Sequence, residues 1–297
     1  MPELPEVETI RRGLEKYLVG HIVRGVEIKA PKIFSGEIKD IVGSKIKSVR
    51  RFAKILSLDL SNNHSLVIHV KLTGQLIYRG PKLKNPPKLS AKVLSLPGRH
   101  THIIFDLDRN GKLYYNDVRK FGWIKIAKNQ KSNIKDQKHR SKIKDVYLED
   151  LVQNLGPEPL RDLTPSILKD ILRSSNKPIK VLLMDQEKIG GIGNIYANDA
   201  LWLSKIHPRT PGNRLSSRQV TELFNSILKV LKEGLKRGGA SELNFVQADG
   251  AEGDYQEYFL AYGRDGDLCT RCKKEKIQRI ALSGRGTFFC PKCQSEV

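Results

Sequence analysis

The sequence is short of acid, of long apolar runs and, over most of its length, of cysteine. Against 53 lysines and arginines stand 32 aspartates and glutamates, which leaves a formal net charge of +21 over 297 residues. An imbalance of this size favours a polyanionic partner, because clustered Lys and Arg release the counterions condensed on a phosphate backbone. Apolar residues make up 39% of the chain, and no run approaches the ~18 consecutive apolar residues that a membrane-spanning helix needs. A membrane-spanning helix is therefore not expected and a soluble protein is. The first residues meet acids at once and lack an apolar core segment, which argues against a signal peptide; a cytoplasmic, nucleoid-associated location is expected. No internal repeat is present, so a solenoid is not expected.

Cysteine is missing from the first 268 residues. All four lie near the end, as Cys269-x2-Cys272 and Cys290-x2-Cys293 with 17 residues between the pairs. In a cytosolic chain this spacing reads as a tetrahedral zinc site and not as two disulfides. Four thiolates leave no coordination position open for water, so one structural Zn2+ and no catalytic cofactor are expected. The dinucleotide fingerprint is also missing: Gly191-x-Gly193 is followed by Tyr196 where the third glycine belongs, and no strand with a ribose-binding acid accompanies it.

What is present falls into blocks. Residues 5–18 place Val7, Ile10, Leu14 and Tyr17 on one helical face. From 20 to 127 the segments IVRGVEIK, ILSLDL, SLVIHVKL, THIIFDL, KLYYN and GWIKIA are short, alternating or β-branched, and predict an antiparallel β-sandwich. A basic, proline-bearing stretch at 81–100 reads as a mobile loop, and the lysine-rich, faceless stretch 128–144 as a linker. The period then turns helical through VYLEDLVQNL, TPSILKDILRSS, KPIKVLLMD, NIYANDALWLSKI and a long helix after Ser216. A loop near 240–254 leads to the cysteine module, whose IQRIAL and GTFFC segments read as a β-hairpin. The fold class is α+β and multidomain, divided as 1–127, a linker at 128–146, a helical domain at 147–258 and a zinc module at 259–297.

Three short stretches admit a chemical reading beside a plain one. In MPELPEVETI, Pro5 suits the first position of a helix and the acids suit its positive end, a matter of about 0.3–1 kcal/mol each. Removal of Met1 would leave Pro2 as a secondary amine. An α-amino group titrates near ~7.7–8.0 against ~10.4 for lysine, so a usable fraction is neutral and nucleophilic at pH 7. Glu3 is the adjacent carboxyl group for moving protons. IGGIGNIY is either a phosphate cradle capped by Asn194 or a turn. DVRKFGW is either a strand end or an apolar-cationic wedge that fills the space left by an extruded base.

Taken together, PELPEVETIRRGL, RRFAKIL, HVKLTG, DVRKFG, NLGPEPL, LLMDQEKIGGIGNIYANDALW, YGRDGDLC and RGTFFCPKC resemble, in this order, the formamidopyrimidine-DNA glycosylase (Fpg/endonuclease VIII) family. The endonuclease VIII branch is less similar, since it begins Pro-Glu-Gly-Pro. The resemblance implies a catalytic β-sandwich domain, a helix-two-turn-helix DNA-binding domain and a zinc β-hairpin. It implies Pro2 as Schiff-base nucleophile, Glu3 as proton donor, Glu6 as a second pocket acid, Lys54 for β-elimination and Arg285 for phosphate grip and δ-elimination. DNA contacts fall on His100, Arg119, Lys180 and Asn194, with Leu72 and Phe121 joining Arg119 in the wedge. Leu72 stands where the family commonly has methionine, and the insertions at 81–100 and 128–144 are longer than usual. The implied activity is a bifunctional glycosylase and AP lyase for oxidised purines, acting as a monomer on damaged duplex DNA. An oxidised-pyrimidine enzyme of the same family and a non-catalytic zinc-containing DNA-binding protein are the alternatives.

Overall fold

Helix α1 (Leu4–Leu18) owes its existence to one face: Val7, Ile10, Leu14, Tyr17 and Leu18 are all buried. At about 1.5–3 kcal/mol for each side chain removed from water, that face outweighs any terminal charge effect. The helix begins one residue earlier than the proline at position 5 suggests, with Leu4 already helical and its N–H donated to the Gly191 carbonyl (3.0 Å). Pro5 is tolerated there because the first helical N–H groups have no intrahelical acceptor to lose. This computed structural model describes residues 1–93, 95–129 and 146–295. All of the expected linker except 128, 129 and 146 lies outside them.

Residues 1–2, 6–154 and 240–253 form one compact unit. It holds two sheets. One has the order β1 (Val23–Ile28), β7 (Thr101–Leu107), β8 (Lys112–Asp117), β6 (Gly74–Arg79). The other runs β2 (Phe34–Ser35), β9 (Trp123–Lys128), β5 (His64–His69), β4 (Ile55–Leu60), β3 (Ile46–Phe52). Leu56, Leu58 and Ile68 from the second sheet share one core with Leu76, Phe105 and Tyr115 from the first and with the inner face of α1. The sandwich is antiparallel except at its edge, where the two-residue β2 pairs parallel with β9.

Two strands are hard to see in sequence for physical reasons. In β3 the register shifts between Ile46 and Ser48, so the buried residues Ile46 and Val49 are three apart and the period of two is lost. In β6, Leu76 and Tyr78 face the main core while Ile77 packs with Val93 and Val246 in a second cluster, so both faces are apolar and nothing alternates.

Residues 3–5, 155–239 and 254–297 form the second unit. It contains α3 (Pro165–Arg173), α4 (Ile179–Met184), α5 (Asn194–Leu203), α6 (Ser217–Lys236) and the hairpin β10 (Gln278–Leu282) with β11 (Arg285–Phe289); the short α2 (Leu148–Val152) precedes it. Thr164 caps α3 through its hydroxyl, and Ser216 with Gln219 makes a reciprocal capping box on α6. α5 is buried on nearly all sides and carries two polar residues inward, Asn198 and Asp199. Asp199 bonds to the chain that leads into the cysteine hairpin, and Asn198 to the hairpin itself. Asn198 accepts the Phe288 N–H (2.8 Å), and Asp199 accepts N–H groups from Ala261 (2.9 Å) and Tyr262 (3.1 Å) and the Tyr255 hydroxyl (3.2 Å).

Burial pushes the Asp199 carboxyl up to about 6, against the lowering effect of its N–H and O–H donors. The folded state therefore holds a proton that the unfolded chain releases near pH 3.8, and the contribution of this group to stability declines as pH rises from about 4 to 6. Replacing Asp199 by alanine strands several buried donors and is expected to cost about 3–5 kcal/mol, read as a lowered denaturant midpoint. A midpoint equal to that of the unmodified protein would contradict this assignment.

Candidate functional site

The glycine stretch IGGIGN has an occupant in the protein itself. Glu3 is only 2% exposed, and its carboxylate accepts N–H groups from Gly193 (2.7 Å), Ile195 (2.8 Å) and Tyr196 (3.4 Å) at the start of α5. Three N–H groups of the stretch are thus taken by Glu3, and the cap of α5 is Gly193 and not Asn194, which is its first helical residue. A Cβ on Gly193 would lie 2.4 Å from the Glu3 carboxyl carbon, so only glycine admits the acid this closely. Gly191, at φ +98°, turns the chain and leaves room for Leu4. The Glu3 carboxylate thus lies at the positive end of the α5 dipole. Pro2, covalently next to it, is buried, while Met1 is exposed.

Glu6 is also buried and accepts the Ala240 N–H (2.9 Å), which fixes the start of the 240–253 segment. Its role is more specific than complementing the helix dipole. The same holds for Glu8, whose carboxylate takes N–H groups from Arg11 (3.0 Å), Arg12 (2.9 Å) and Arg51 (3.0 Å). Burial would raise the Glu8 pKa, but the bonds from Arg11 and Arg51 more than offset it and hold the carboxyl below its ordinary value. Arg51 also donates to the Ala53 carbonyl (3.0 Å), and so braces the turn between β3 and β4. Lys54 sits on that turn and is 4% exposed. Ala53 adopts φ +50°, a strained conformation for a residue with a Cβ. His69 lies in the field of Lys54 and Lys71; burial first, then these two cations, pulls its imidazole down to about 3, so it is neutral at pH 7. Sequence reasoning missed Arg51 and His69, although RRFAKIL and HVKLTG contain them.

The 118–122 loop stands on Asp117, which is fully buried. Its carboxylate accepts the N–H groups of Arg119 (3.1 Å) and Gly122 (2.8 Å) as well as the Thr73 hydroxyl. Thr73 also accepts the Arg119 N–H (3.1 Å), which ties the Leu72–Thr73 turn to the Arg119 loop. Above this base the Arg119 guanidinium lies 4.5 Å from the centre of the Phe121 ring, and Phe121 is 53% exposed. The exposed ring is thus held under a cation on a braced loop. His100 borders a cavity of about 200 Å³ together with Arg99, Thr101 and Asn116. Partial burial, then the charges of Arg99, His102 and Lys120, lowers the His100 pKa and favours its neutral form.

Lys180 is not a surface residue. It is 1% exposed, and its ammonium donates to the Gly286 carbonyl (2.8 Å) and the Thr287 hydroxyl (2.7 Å) on β11. Burial pulls its pKa down to about 7; Glu3 opposes the shift and Arg285 adds to it. Arg285, exposed, opens β11 directly after the turn formed by Ser283 (φ +48°) and Gly284 (φ +70°). Lys180, Asn198 and Asp199 therefore carry the segment that presents Arg285. The four cysteine sulfurs lie within 4.8 Å of one another, with Cys269 and Cys293 3.9 Å apart and Cys272 and Cys290 3.7 Å apart. A tetrahedron with Zn–S bonds of ~2.3 Å has S···S edges of roughly 3.8 Å, so the four residues fit a zinc ion.

Comparison with known proteins places matches over both units and the cysteine module. Residues 1–124 match the formamidopyrimidine-DNA glycosylase N-terminal domain, residues 155–245 the formamidopyrimidine-DNA glycosylase H2TH domain, and residues 266–295 a zinc finger found in FPG and IleRS. The formamidopyrimidine-DNA glycosylase of Chloroflexus aurantiacus is 39% identical over 99% of this chain and 98% of its own length; that of Rickettsia africae is 36% identical over 99% of both. Among solved structures, a complex of the Lactococcus lactis Fpg with DNA containing an abasic site superposes with a TM-score of 0.81 at 33% identity, covering 99% of this chain and all of that one. A complex of the wild-type L. lactis Fpg with DNA containing an N7-benzyl-Fapy-dG gives 0.81 at 31% identity and the same coverage. No helix among the described residues is long and apolar enough to cross a membrane. With family matches over both units and relatives of up to 39% identity along nearly the whole chain, the chain belongs to the formamidopyrimidine-DNA glycosylase family.

Proposed function

We propose that this protein is a bifunctional DNA glycosylase and AP lyase that removes oxidised purines such as 8-oxoguanine and formamidopyrimidines from duplex DNA. The observation that carries the reading is the seat of Glu3: a buried carboxylate, fixed by three backbone N–H groups, on the residue next to Pro2. A seat built that closely for one side chain is costly unless its position matters.

The reaction follows from the groups in hand. Positive charge draws the duplex in, and the Arg119–Phe121 wedge occupies the gap as the lesion nucleotide turns out of the stack. Pro2, with its proton passed to the Glu3 carboxylate, attacks C1′; the C1′–base bond breaks and the electron pair leaves with the base. Glu3 returns the proton to the opening sugar, and an iminium forms between Pro2 and C1′. That iminium acidifies the C2′ proton, whose loss expels the 3′ phosphate; loss of the C4′ proton then expels the 5′ phosphate. Water hydrolyses the remaining iminium and frees Pro2. Lys54 and Arg285 supply positive charge to the departing phosphates, and Glu6 holds the 240–253 loop that faces the extruded base. Cys269, Cys272, Cys290 and Cys293 hold one Zn2+ that stabilises the hairpin beneath Arg285 and takes no part in the chemistry. The protein works as a monomer in the cytosol, with Lys180 and Asn194 supporting the DNA-facing surface.

Borohydride added to the protein on an 8-oxoguanine duplex is expected to trap a covalent adduct that mass spectrometry places on Pro2. Pro2→Gly, or a tag left on the terminus, should lower excision by at least about 10²-fold; full excision with a blocked terminus would sink the mechanism, and faster cutting of 5-hydroxycytosine than of 8-oxoguanine would redirect it to pyrimidines. Chelation of the metal should release one zinc per chain and unfold the hairpin. Duplex affinity should then fall by about 10-fold or more in fluorescence anisotropy, whereas unchanged affinity after complete zinc release would remove the hairpin from DNA binding.

A further inference from the structure

The proline-bearing stretch at 81–100 reads in sequence as a mobile loop, but in the structure it is fastened to the 240–253 segment, and both belong to the first unit. The Lys92 ammonium reaches the two ends of that segment at once, donating to the Ser241 carbonyl and to the Glu252 carboxylate. The second Glu252 oxygen accepts the Ser90 hydroxyl. The Lys92 carbonyl accepts from the Gln75 side-chain amide (3.4 Å), which also donates to the Asn244 carbonyl (2.7 Å). Beneath these bonds Val93 packs with Val246 and Ile77, and Leu89 and Leu96 close the cluster from the side. The tip of the segment is held by β6: Tyr78 donates its N–H to the Ala248 carbonyl (2.8 Å), and Arg79 its guanidinium to the Asp249 carbonyl (2.8 Å).

An exposed ion pair contributes only about 0.2–1 kcal/mol, so Lys92 and Glu252 alone would not order a segment of this length. The apolar contact supplies the rest, and Lys92 sets where the two ends come to lie. Ordering a segment before the ligand arrives removes that entropy from the binding step. Buried side chains also run from the latch to the His100 cavity: Gln75 accepts from the Asn116 amide (3.3 Å), and the Asn116 carbonyl oxygen accepts the Thr101 hydroxyl (2.7 Å).

We infer that the segment from Leu89 to Val93, together with Leu96, forms a latch that holds the 240–253 loop ready for the extruded base, with Lys92 as its positioning residue; the functional part of this inference rests on the glycosylase reading above. Lys92 touches no reacting atom. Its work is done in the free protein, so its loss affects recognition of a base and leaves the chemistry at C1′ alone.

The test uses the full chain carrying Lys92→Ala, alone and with Val93→Ser, and Lys92→Arg as the conservative variant. Hydrogen exchange of amides 240–253 in the free protein should quicken by about 10-fold in Lys92→Ala and more in the double variant, with Lys92→Arg restoring protection. KM for an 8-oxoguanine duplex should rise about 3- to 10-fold in Lys92→Ala while kcat stays within about twofold. Cleavage of a duplex with a preformed abasic site, which offers no base to recognise, should keep its KM. Unchanged exchange in both variants would overturn the latch. A fall in kcat on both substrates at constant KM would overturn the positioning role. Should the unmodified protein excise no lesion, the glycosylase reading fails, and the exchange measurement still decides whether the latch exists.

Discussion

The second unit depends on one charge placed at one helix end. α5 is buried almost throughout, so its first N–H groups cannot turn to water for partners. The Glu3 carboxylate supplies them, from a residue 190 positions earlier in the chain. The bond is charge-assisted, it runs along the helix dipole, and the absence of a Cβ on Gly193 sets its length. One arrangement thus satisfies the helix and fixes the backbone that leads from Pro2 into α1. Removing either side leaves the other buried and unpaired, which is more costly than the pair is stabilising.

The other end of α5 serves a second purpose by the same means. Asn198 and Asp199 turn their polar atoms to the chain before and within the hairpin, and Lys180 of α4 reaches it from the side. A hairpin of two five-residue strands is marginal by itself. Four cysteines at one end and three buried polar residues at the other compensate for its small core. The buried ammonium of Lys180, pulled down to about 7, is the cost of that support. Position in the 178–204 region therefore decides how Arg285 is presented, and the exposed arginine is the last link of a buried chain.

The parts of this arrangement legible in the sequence are those whose signal is local. Cys269, Cys272, Cys290 and Cys293 announce a metal cluster by spacing alone, and the strands around Leu58 and Phe105 announce themselves by composition. Pro2 and Glu3 are adjacent and chemically pointed. The destination of Glu3 is not legible, because a backbone N–H donor leaves no mark on residue type. The same is true of Asp199 and Lys180, which look like surface charges until their partners are known. A bulge hides β3, and an apolar neighbour on each face hides β6. Residues 81–100 look mobile because lysine and proline dominate them, yet Val93 and Lys92 have specific places to go.

The chemistry proposed for Pro2 requires Glu3 to stay in its seat on α5. The decisive measurement is single-turnover excision of 8-oxoguanine by Gly193→Ala, compared with Glu3→Gln. The nearest atoms that the added methyl group meets are those of the Glu3 carboxyl group, which must shift. Measured on the folded fraction of each variant, Gly193→Ala should lose about 10²-fold or more in excision rate, in step with Glu3→Gln. Excision at the unmodified rate in folded Gly193→Ala protein would contradict that requirement.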